Sequence, residues 1–209
     1  MNIQKIFKFN FNNSKDYPDI FVNKTNISAY EGITGKENNH IFLYGPQKSG
    51  KSLFASIWLE MNEGVKYSNN FEYLIRNNHN ILIDNNYKYY PEENIFHLIN
   101  HAMLNNKKIL ITSNLNINEI NFSLKDLISR LKTFTYLKID NPDDDMLLNI
   151  LTKLFLEKQF VINSHEIFQY IIKNANRTYK DIYEIVKKLD TLSIEKKRQL
   201  TIPLIKEIL

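Results

Sequence analysis

Eight consecutive residues, GPQKSGKS (Gly45 to Ser52), have the composition and spacing of a phosphate-binding loop. They follow the pattern G-x-x-x-x-G-K-[ST], in which the glycines let backbone N–H groups approach phosphate oxygens without a Cβ in the way. In such a loop Lys51 reaches the β- and γ-phosphate oxygens, Ser52 holds Mg²⁺, and the next helix adds its positive end. The sequence therefore predicts a nucleotide site. Its predicted ligands in the loop are Gly45, Pro46, Gln47, Lys48, Ser49, Gly50, Lys51 and Ser52.

A second group of polar residues begins at the end of the apolar run ILID. Asp84 ends this run, where an acid supports Mg²⁺ directly or through water; the alternative is an Asp that only caps a turn. The next residue is Asn85, and because an amide cannot accept a proton as a carboxylate does, a general base is lost there. Glu92 or Glu93 could replace it, although acids are also favoured at a helix start, where both are predicted to lie.

Two residues further along the chain are weaker candidates. Asn114 follows the apolar run ILITS and could contact a γ-phosphate or a water molecule, or it could form a turn. Arg130 lies in a predicted helix, where a solvent-exposed arginine with no specific role is the ordinary interpretation. Residue type and local pattern alone assign neither of them a role.

The elements that must position these residues alternate between short apolar runs and amphipathic helices. Continuous apolar strands alternating with helices are typical of a parallel sheet covered on both faces. The four predicted strands lie in HIFLY (40–44), NILID (80–84), KKILITSN (107–114) and YLKI (136–139). A helix is predicted in SLKDLISRLK, with Ser123 as its N-cap. The first forty residues are Asn-rich and are predicted to be irregular.

After Pro142 the alternation stops, and every predicted element is a helix. The first of these helices begins with PDDD (142–145), and acids at a helix N-terminus are favoured by the backbone dipole. We therefore predict three parts: an N-terminal tail (1–19), an α/β nucleotide-binding domain (20–141) and a small all-helical domain (142–209).

The overall composition is that of a globular protein in a reducing compartment. The 209 residues are 43% hydrophobic and include no cysteine, which excludes disulfides and cysteine-ligated metals. No signal peptide and no apolar stretch of membrane-spanning length is visible, so we expect a cytoplasmic protein with no membrane partner. The net charge of +4 comes without a Lys/Arg block, which is compatible with nucleic-acid binding without indicating it.

The order of the motifs resembles that of the AAA+ ATPases: a phosphate loop, the ILID strand, ITSN, SRL before the last strand, and a helical lid. From about residue 20 onward, the chain resembles the DnaA-related proteins and is most similar to the Hda-like regulators of DnaA. Three segments carry this resemblance: ILIDN (81–85), LISRL (127–131) and QLTIPLIKEIL (199–209). The implied fold is α/β, a P-loop parallel sheet with helices on both faces, followed by a small all-α lid.

The resemblance also implies roles for charged residues. Arg130 matches the arginine finger that the family supplies in trans to the ATP of a neighbouring DnaA subunit. The cation that the family's lid offers to the phosphates matches Lys180, with Arg177 one turn earlier, and Lys keeps the charge but lacks the bidentate fork of Arg. The implied ligand is ADP or ATP with Mg²⁺, held for structure and regulation with weak or no intrinsic hydrolysis.

The implied partners are DnaA and the DNA polymerase sliding clamp, with DNA reached through the clamp and a homodimer left open. DnaA continues into a helix-turn-helix domain, which this chain is expected to lack. The family's clamp-binding segment resembles Q-L-x-L, and QKIF stands in its place, so Gln4 and Phe7 are expected to enter a groove of the clamp. Lys5 and Phe7 depart from that pattern. The alternatives are a stand-alone ATPase such as a helicase loader, a P-loop phosphotransferase, and a nucleotide-gated scaffold without an arginine finger.

Overall fold

The computed structural model describes residues 20–35, 37–84, 89–160, 166–196 and 199–209. The chain divides into two compact units. Residues 26–140 enclose the first unit, and the described residues before 26 and after 140 form the second. The phosphate-loop motif lies in the first unit, and the helices that follow Pro142 lie in the second.

The first unit is built on a sheet of five parallel strands in the order β2-β3-β4-β1-β5. Every residue of β4 and the three central residues of β1 are buried, so both faces of these central strands are covered. The predicted parallel sheet is therefore confirmed. The strands are β1 (His40–Tyr44), β2 (Val65–Lys66), β3 (Ile81–Asp84), β4 (Ile109–Ser113) and β5 (Thr135–Lys138).

Helices of the first unit pack on this sheet through apolar side chains. The core combines strand residues such as Phe42, Ile83 and Ile111 with residues of the fourth helix such as Ile95 and Leu98. Because the strands are parallel and joined through helices, the carboxyl ends of all of them lie on the same side of the sheet. This side is called the carboxyl edge here, and the side where the strands begin is called the amino edge. The helices are α1 (Ile27–Thr34), α2 (Lys51–Met61), α3 (Phe71–Asn77), α4 (Glu92–Leu104) and α5 (Lys125–Leu131).

The second unit is helical throughout its described part, with a core of its own. Leu151, Phe155, Phe168, Ile182 and Leu189 are among the side chains buried in this core. No helix in the described ranges is long and apolar enough to cross a membrane. The helices are α6 (Asp144–Glu157), α7 (Glu166–Asn174), α8 (Tyr179–Lys196) and α9 (Ile202–Lys206).

Polar side chains fix where two helices of the second unit begin. Asp143 precedes α6 and accepts a hydrogen bond from the backbone N–H of Met146 at 2.9 Å, as expected of an N-cap. The same carboxylate accepts a bond from Asn23 Nδ2 at 2.9 Å, which ties the segment before the first unit to α6. At the start of α8, Thr178 Oγ1 accepts a bond from the N–H of Asp181 at 3.1 Å.

Two elements of the first unit escape the sequence analysis. Helix α1 lies in the segment predicted to be irregular. The Asn-rich sequence around it obscures the helical spacing of Ala29 and Ile33, both of which are buried. Strand β2 has two residues, Val65 and Lys66, which is too short to produce a periodic pattern. The sheet therefore has a fifth strand that only the pairing of Val65 and Lys66 with β3 defines.

The start of α5 is capped by a side chain of α4, and the prediction that Ser123 is its N-cap is wrong. Leu124 holds the N-cap position and makes no side-chain cap. The Glu92 carboxylate instead accepts hydrogen bonds from the backbone N–H of Ser123 at 2.9 Å and of Leu124 at 2.7 Å. A cap supplied from 31 residues away in the chain leaves no local pattern. Glu92 therefore joins α4 to α5.

We predict that Glu92→Ala lowers the free energy of unfolding by about 1–3 kcal/mol, because it leaves two backbone donors at the start of α5 without their carboxylate. Glu93→Ala is the matched control, since Glu93 is the exposed neighbour in the same helical turn. Urea unfolding of both variants measures the difference. Equal stability of the two variants would show that the bonds to Glu92 contribute nothing to the fold.

Candidate nucleotide-binding site

The predicted phosphate loop follows β1 at the carboxyl edge of the sheet, and its two glycines are required by its geometry. The Gly45 N–H donates to the Ser113 carbonyl of β4 at 3.2 Å. A Cβ at Gly45 would lie 2.7 Å from the Ile139 carbonyl oxygen, so a larger residue would push the loop off the sheet. Gly50 precedes α2 with φ of 90°, a left-handed conformation that strains other residues.

Lys51 lies beneath the loop with only 6% of its surface exposed. Its ammonium donates hydrogen bonds to the carbonyls of Gly45 at 2.9 Å and Pro46 at 2.6 Å, so it is enclosed by the loop's own backbone. Burial disfavours the charged form and lowers the pKa of Lys51 from 10.5 to about 8, although the charge of Asp84 opposes this effect. A lysine ammonium held in the loop before a helix N-terminus is suited to bind an anion such as a phosphate group.

The other loop residues differ in how far they are buried. Ser49 is buried and its hydroxyl lies 3.4 Å from the Lys51 ammonium, while Pro46 is half-buried. Gln47, Lys48 and Ser52 are exposed. The structure thus places six of the eight predicted loop residues between β1 and α2, and Lys51 and Ser52 at the start of α2. Their individual contacts with a nucleotide stay predictions.

Asp84 and Asn114 lie at the same edge of the sheet as the loop. Asp84 ends β3 and is paired in register with Thr112, and Asn114 directly follows β4. The Thr112 hydroxyl donates to Asp84 Oδ1 at 2.7 Å, and the Lys66 ammonium donates to Asp84 Oδ2 at 2.8 Å. Partial burial by itself would raise the pKa of Asp84, but the bonds from Lys66 and Thr112 and the charges of Lys66 and Lys51 lower it below its usual value.

The loop fits the phosphates of a nucleotide better than the neighbouring residues fit a magnesium ion. Ser52, at the exposed start of α2, and Asp84 are the residues that would hold Mg²⁺. Mg²⁺ prefers oxygen ligands with uncompensated charge, whereas each oxygen of Asp84 already accepts a hydrogen bond and one of the donors is an ammonium. The residues present Mg²⁺ with a carboxylate whose charge is already balanced.

Arg130 lies near the opposite edge of the sheet from the phosphate loop. It is exposed near the end of α5, and its carbonyl accepts a hydrogen bond from the N–H of Thr133 as the chain turns toward β5. The ring of the next residue, Phe134, lies 5.6 Å from the ring of His40, the first residue of β1. The loop follows Tyr44 at the other end of that strand, roughly 13 Å away. The turn that follows Arg130 and the phosphate loop therefore lie at opposite ends of β1.

Arg130 also differs from the other described arginines in having no acidic partner. Arg76 pairs with Glu72 at 2.9 Å, and Arg177 pairs with Asp144. Within the part of the chain that the structure describes, the Arg130 guanidinium forms no ion pair. An exposed, unpaired guanidinium is available to a group on another molecule.

The two predicted lid cations are exposed and have partners within the second unit. Arg177 lies just before α8 and pairs with Asp144 at the start of α6. Lys180 lies in the first turn of α8, with Glu184 3.7 Å away on the same helix. Their contact with a nucleotide stays a prediction. Gln4, Phe7 and Asn85 lie outside the described residues.

Lys66, which pairs with the carboxylate of the predicted magnesium site, carries no signal in the sequence. Lys66 lies 18 residues before Asp84, in a strand too short to be recognised, and only the parallel pairing of β2 with β3 brings the two together. An isolated lysine carries no signal of such a contact. The contact between Lys66 and Asp84 becomes predictable only when β2 is known to lie beside β3 in the sheet.

Comparison with known proteins relates the two units to the DnaA group of replication proteins. The chromosomal replication initiator protein DnaA of Buchnera aphidicola subsp. Baizongia pistaciae (strain Bp) is 26% identical over 197 residues, covering 78% of this chain. The chain spans 42% of the length of that relative. Residues 144–209 match the family described as the Hda lid domain. The resemblance to the Hda-like, DnaA-related AAA+ proteins, predicted from the sequence, is thus confirmed.

Solved structures of DnaA share the fold of this chain over most of its length. Domain III of Thermotoga maritima DnaA has a TM-score of 0.67 at 18% identity, covering 87% of this chain and 88% of that one. AMPPCP-bound DnaA from Aquifex aeolicus has a TM-score of 0.64 at 18% identity, covering 84% of this chain and 65% of that one. The expected AAA+ fold, a parallel sheet with helices followed by a small all-helical lid region, is confirmed.

We predict that ADP affinity falls as the pH rises through about 8, because Lys51 must be protonated to bind phosphate and its pKa lies near that value. With one such group, the dissociation constant rises roughly tenfold between about pH 7 and about pH 9. Titration calorimetry at the two pH values measures the change.

The stability of the nucleotide-free chain should change in the opposite direction. The unfolded chain binds more protons at Lys51 between pH 8 and 10.5, so the contribution of this residue to the free energy of unfolding rises with pH there. Comparison with Lys51→Met isolates that contribution.

For the affinity prediction, equal ADP affinity at both pH values would contradict the placement of a phosphate beside the Lys51 ammonium.

Proposed function

We propose that this chain is a nucleotide-holding regulator of DnaA. It binds ADP or ATP in the phosphate loop and, with the sliding clamp on DNA, stimulates hydrolysis of the ATP bound to DnaA. Arg130 is the arginine finger supplied in trans. The result is conversion of ATP-bound to ADP-bound DnaA and negative regulation of replication initiation.

The position of Arg130 is the observation that carries this proposal. Arg130 is an exposed residue with no ion-pair partner among the described residues. The turn that follows it lies near the amino end of β1, whereas the chain's own loop follows the carboxyl end of that strand. An arginine that served the chain's own nucleotide would have to lie at the carboxyl edge, beside Lys51. The placement favours action on a nucleotide that another subunit holds.

The chemistry of an arginine finger explains why one side chain suffices. During phosphoryl transfer, negative charge develops on the oxygens around the γ-phosphorus, and a guanidinium placed against them neutralises it. An arginine finger supplied in trans is typically worth ~10³ to 10⁵ in rate, or roughly 4 to 7 kcal/mol. The Glu92 cap supports this role because it fixes the helix that carries Arg130.

The chain's own nucleotide has a different role in this proposal. Asn85 stands where a general base would be needed, and an amide cannot take the proton of an attacking water. A ligand that binds only the folded chain stabilises it in proportion to ligand concentration and affinity. The bound nucleotide therefore acts as a structural and regulatory ligand of this chain.

We predict that Arg130→Ala lowers the stimulated rate of ATP hydrolysis by DnaA by a factor of ~10³ or more. Arg130→Lys should lose most of the stimulation too, because an ammonium lacks the planar fork of a guanidinium. Phosphate release from DnaA–ATP mixed with the loaded clamp and each variant is the measurement.

Lys125→Ala is the matched control, because Lys125 is an exposed cation on the same short helix. Its stimulation should equal that of the parent chain, and ADP affinity should be unchanged in all the variants. Full stimulation by Arg130→Ala would remove the arginine-finger role and favour a nucleotide-gated scaffold.

Clamp binding is assigned to the N-terminal segment by its resemblance to the family's clamp motif. We predict that replacing Gln4 and Phe7 together by Ala removes binding to the sliding clamp, because a polar hook and an apolar plug are lost from the groove. Lys5→Ala is the control, since the motif has an apolar residue at that place. A pull-down of the clamp decides the matter, and retention of the clamp by the double variant would dismiss this segment as the contact.

A further inference from the structure

Lys66 and Asp84 form an ion pair where a phosphate-loop protein ordinarily uses a free carboxylate. Lys66 Nζ lies 2.8 Å from Asp84 Oδ2, and 17% of the Asp84 side chain is exposed compared with 46% of the Lys66 side chain. The second oxygen, Oδ1, accepts a bond from Thr112, which is fully buried in β4. The carboxylate is therefore held from two neighbouring strands and has little freedom to turn toward another ligand.

This pair changes what the carboxylate can offer to a metal ion. A lysine ammonium is a donor with no acceptor, and its positive charge repels a divalent cation. Mg²⁺ usually keeps several of its waters and is bound through one or two carboxylates together with the phosphates of the substrate. At Asp84, the Lys66 ammonium already donates a hydrogen bond to Oδ2 and balances the negative charge of the carboxylate.

The pair also affects the phosphates directly. An ionised carboxylate near the phosphate loop repels bound phosphate groups unless a cation balances it. In many phosphate-loop proteins Mg²⁺ provides this balance. Here the Lys66 ammonium is bonded to Asp84, and the Lys51 charge also acts on the same carboxylate.

We propose that Lys66 replaces Mg²⁺ as the charge that balances Asp84, so that the chain binds nucleoside diphosphate with little dependence on divalent cations. This inference rests on the proposed nucleotide site in the phosphate loop. A site that does not need the metal retains the diphosphate when free Mg²⁺ is low. The proposed regulator would therefore stay bound to its nucleotide under those conditions.

The test compares ADP affinity in excess Mg²⁺ with ADP affinity in excess EDTA. The parent chain should bind ADP with dissociation constants that differ by less than about threefold, or under roughly 0.7 kcal/mol. In Lys66→Met, Asp84 loses its ion-pair partner, so ADP should bind about tenfold more weakly in EDTA than in Mg²⁺. Lys66→Arg keeps the charge and should behave as the parent chain does.

Lys138→Met is the matched control, because Lys138 forms another Lys–Asp ion pair on a strand of the same sheet, 2.6 Å from Asp140. Like Lys66→Met, this variant removes one positive charge from the carboxyl end of a strand, but it leaves Asp84 and its partners unchanged. The ADP affinity of Lys138→Met should therefore respond to EDTA as that of the parent chain does. Thermal unfolding of each variant establishes that it is folded under the conditions of the titration.

The outcomes separate this inference from the proposed function. A parent chain that loses tenfold or more in EDTA, or a Lys66→Met variant as indifferent to EDTA as the parent chain, overturns the role of Lys66 and leaves the nucleotide site in place. If the folded parent chain binds ADP under neither condition, the nucleotide site fails and the role of Lys66 fails with it.

Discussion

A lysine ammonium buried beneath the loop after β1 is the feature on which the candidate site depends. Burying this charge is unfavourable, and the carbonyls of Gly45 and Pro46 compensate for it only while the loop keeps its tight path. That path in turn requires glycine at position 45, where the backbone approaches Ile139 closely. The loop, the strand beside it and the anion that the loop can bind are thus aspects of one arrangement.

The length of β1 separates two kinds of chemistry in the first unit. At the carboxyl edge, Lys51, Asp84 and Lys66 form a set of alternating charges suited to hold a nucleotide. Near the amino edge, α5 presents Arg130 to the outside. A molecule arranged in this way keeps its own nucleotide apart from the cation it offers to a partner, as the proposed regulator requires.

Local patterns predict much of this structure, and contacts between distant segments account for what they miss. The phosphate loop is recognisable because its function needs fixed residue types at fixed spacing, and β1, β3 and β4 are recognisable as apolar runs between turns. The Glu92 cap and the Lys66–Asp84 pair join residues 31 and 18 positions apart. Neither residue type nor spacing marks such pairs, because the sheet order and helix packing that create them are properties of the whole fold.

The central claim is that this chain binds a nucleotide and does not itself hydrolyse it. The most direct test incubates the purified chain with excess ATP and no partner protein, and then quantifies ATP and ADP by chromatography after denaturation at successive times. The account predicts that the ADP formed never exceeds the concentration of the chain. Steady accumulation of ADP over many turnovers would contradict it.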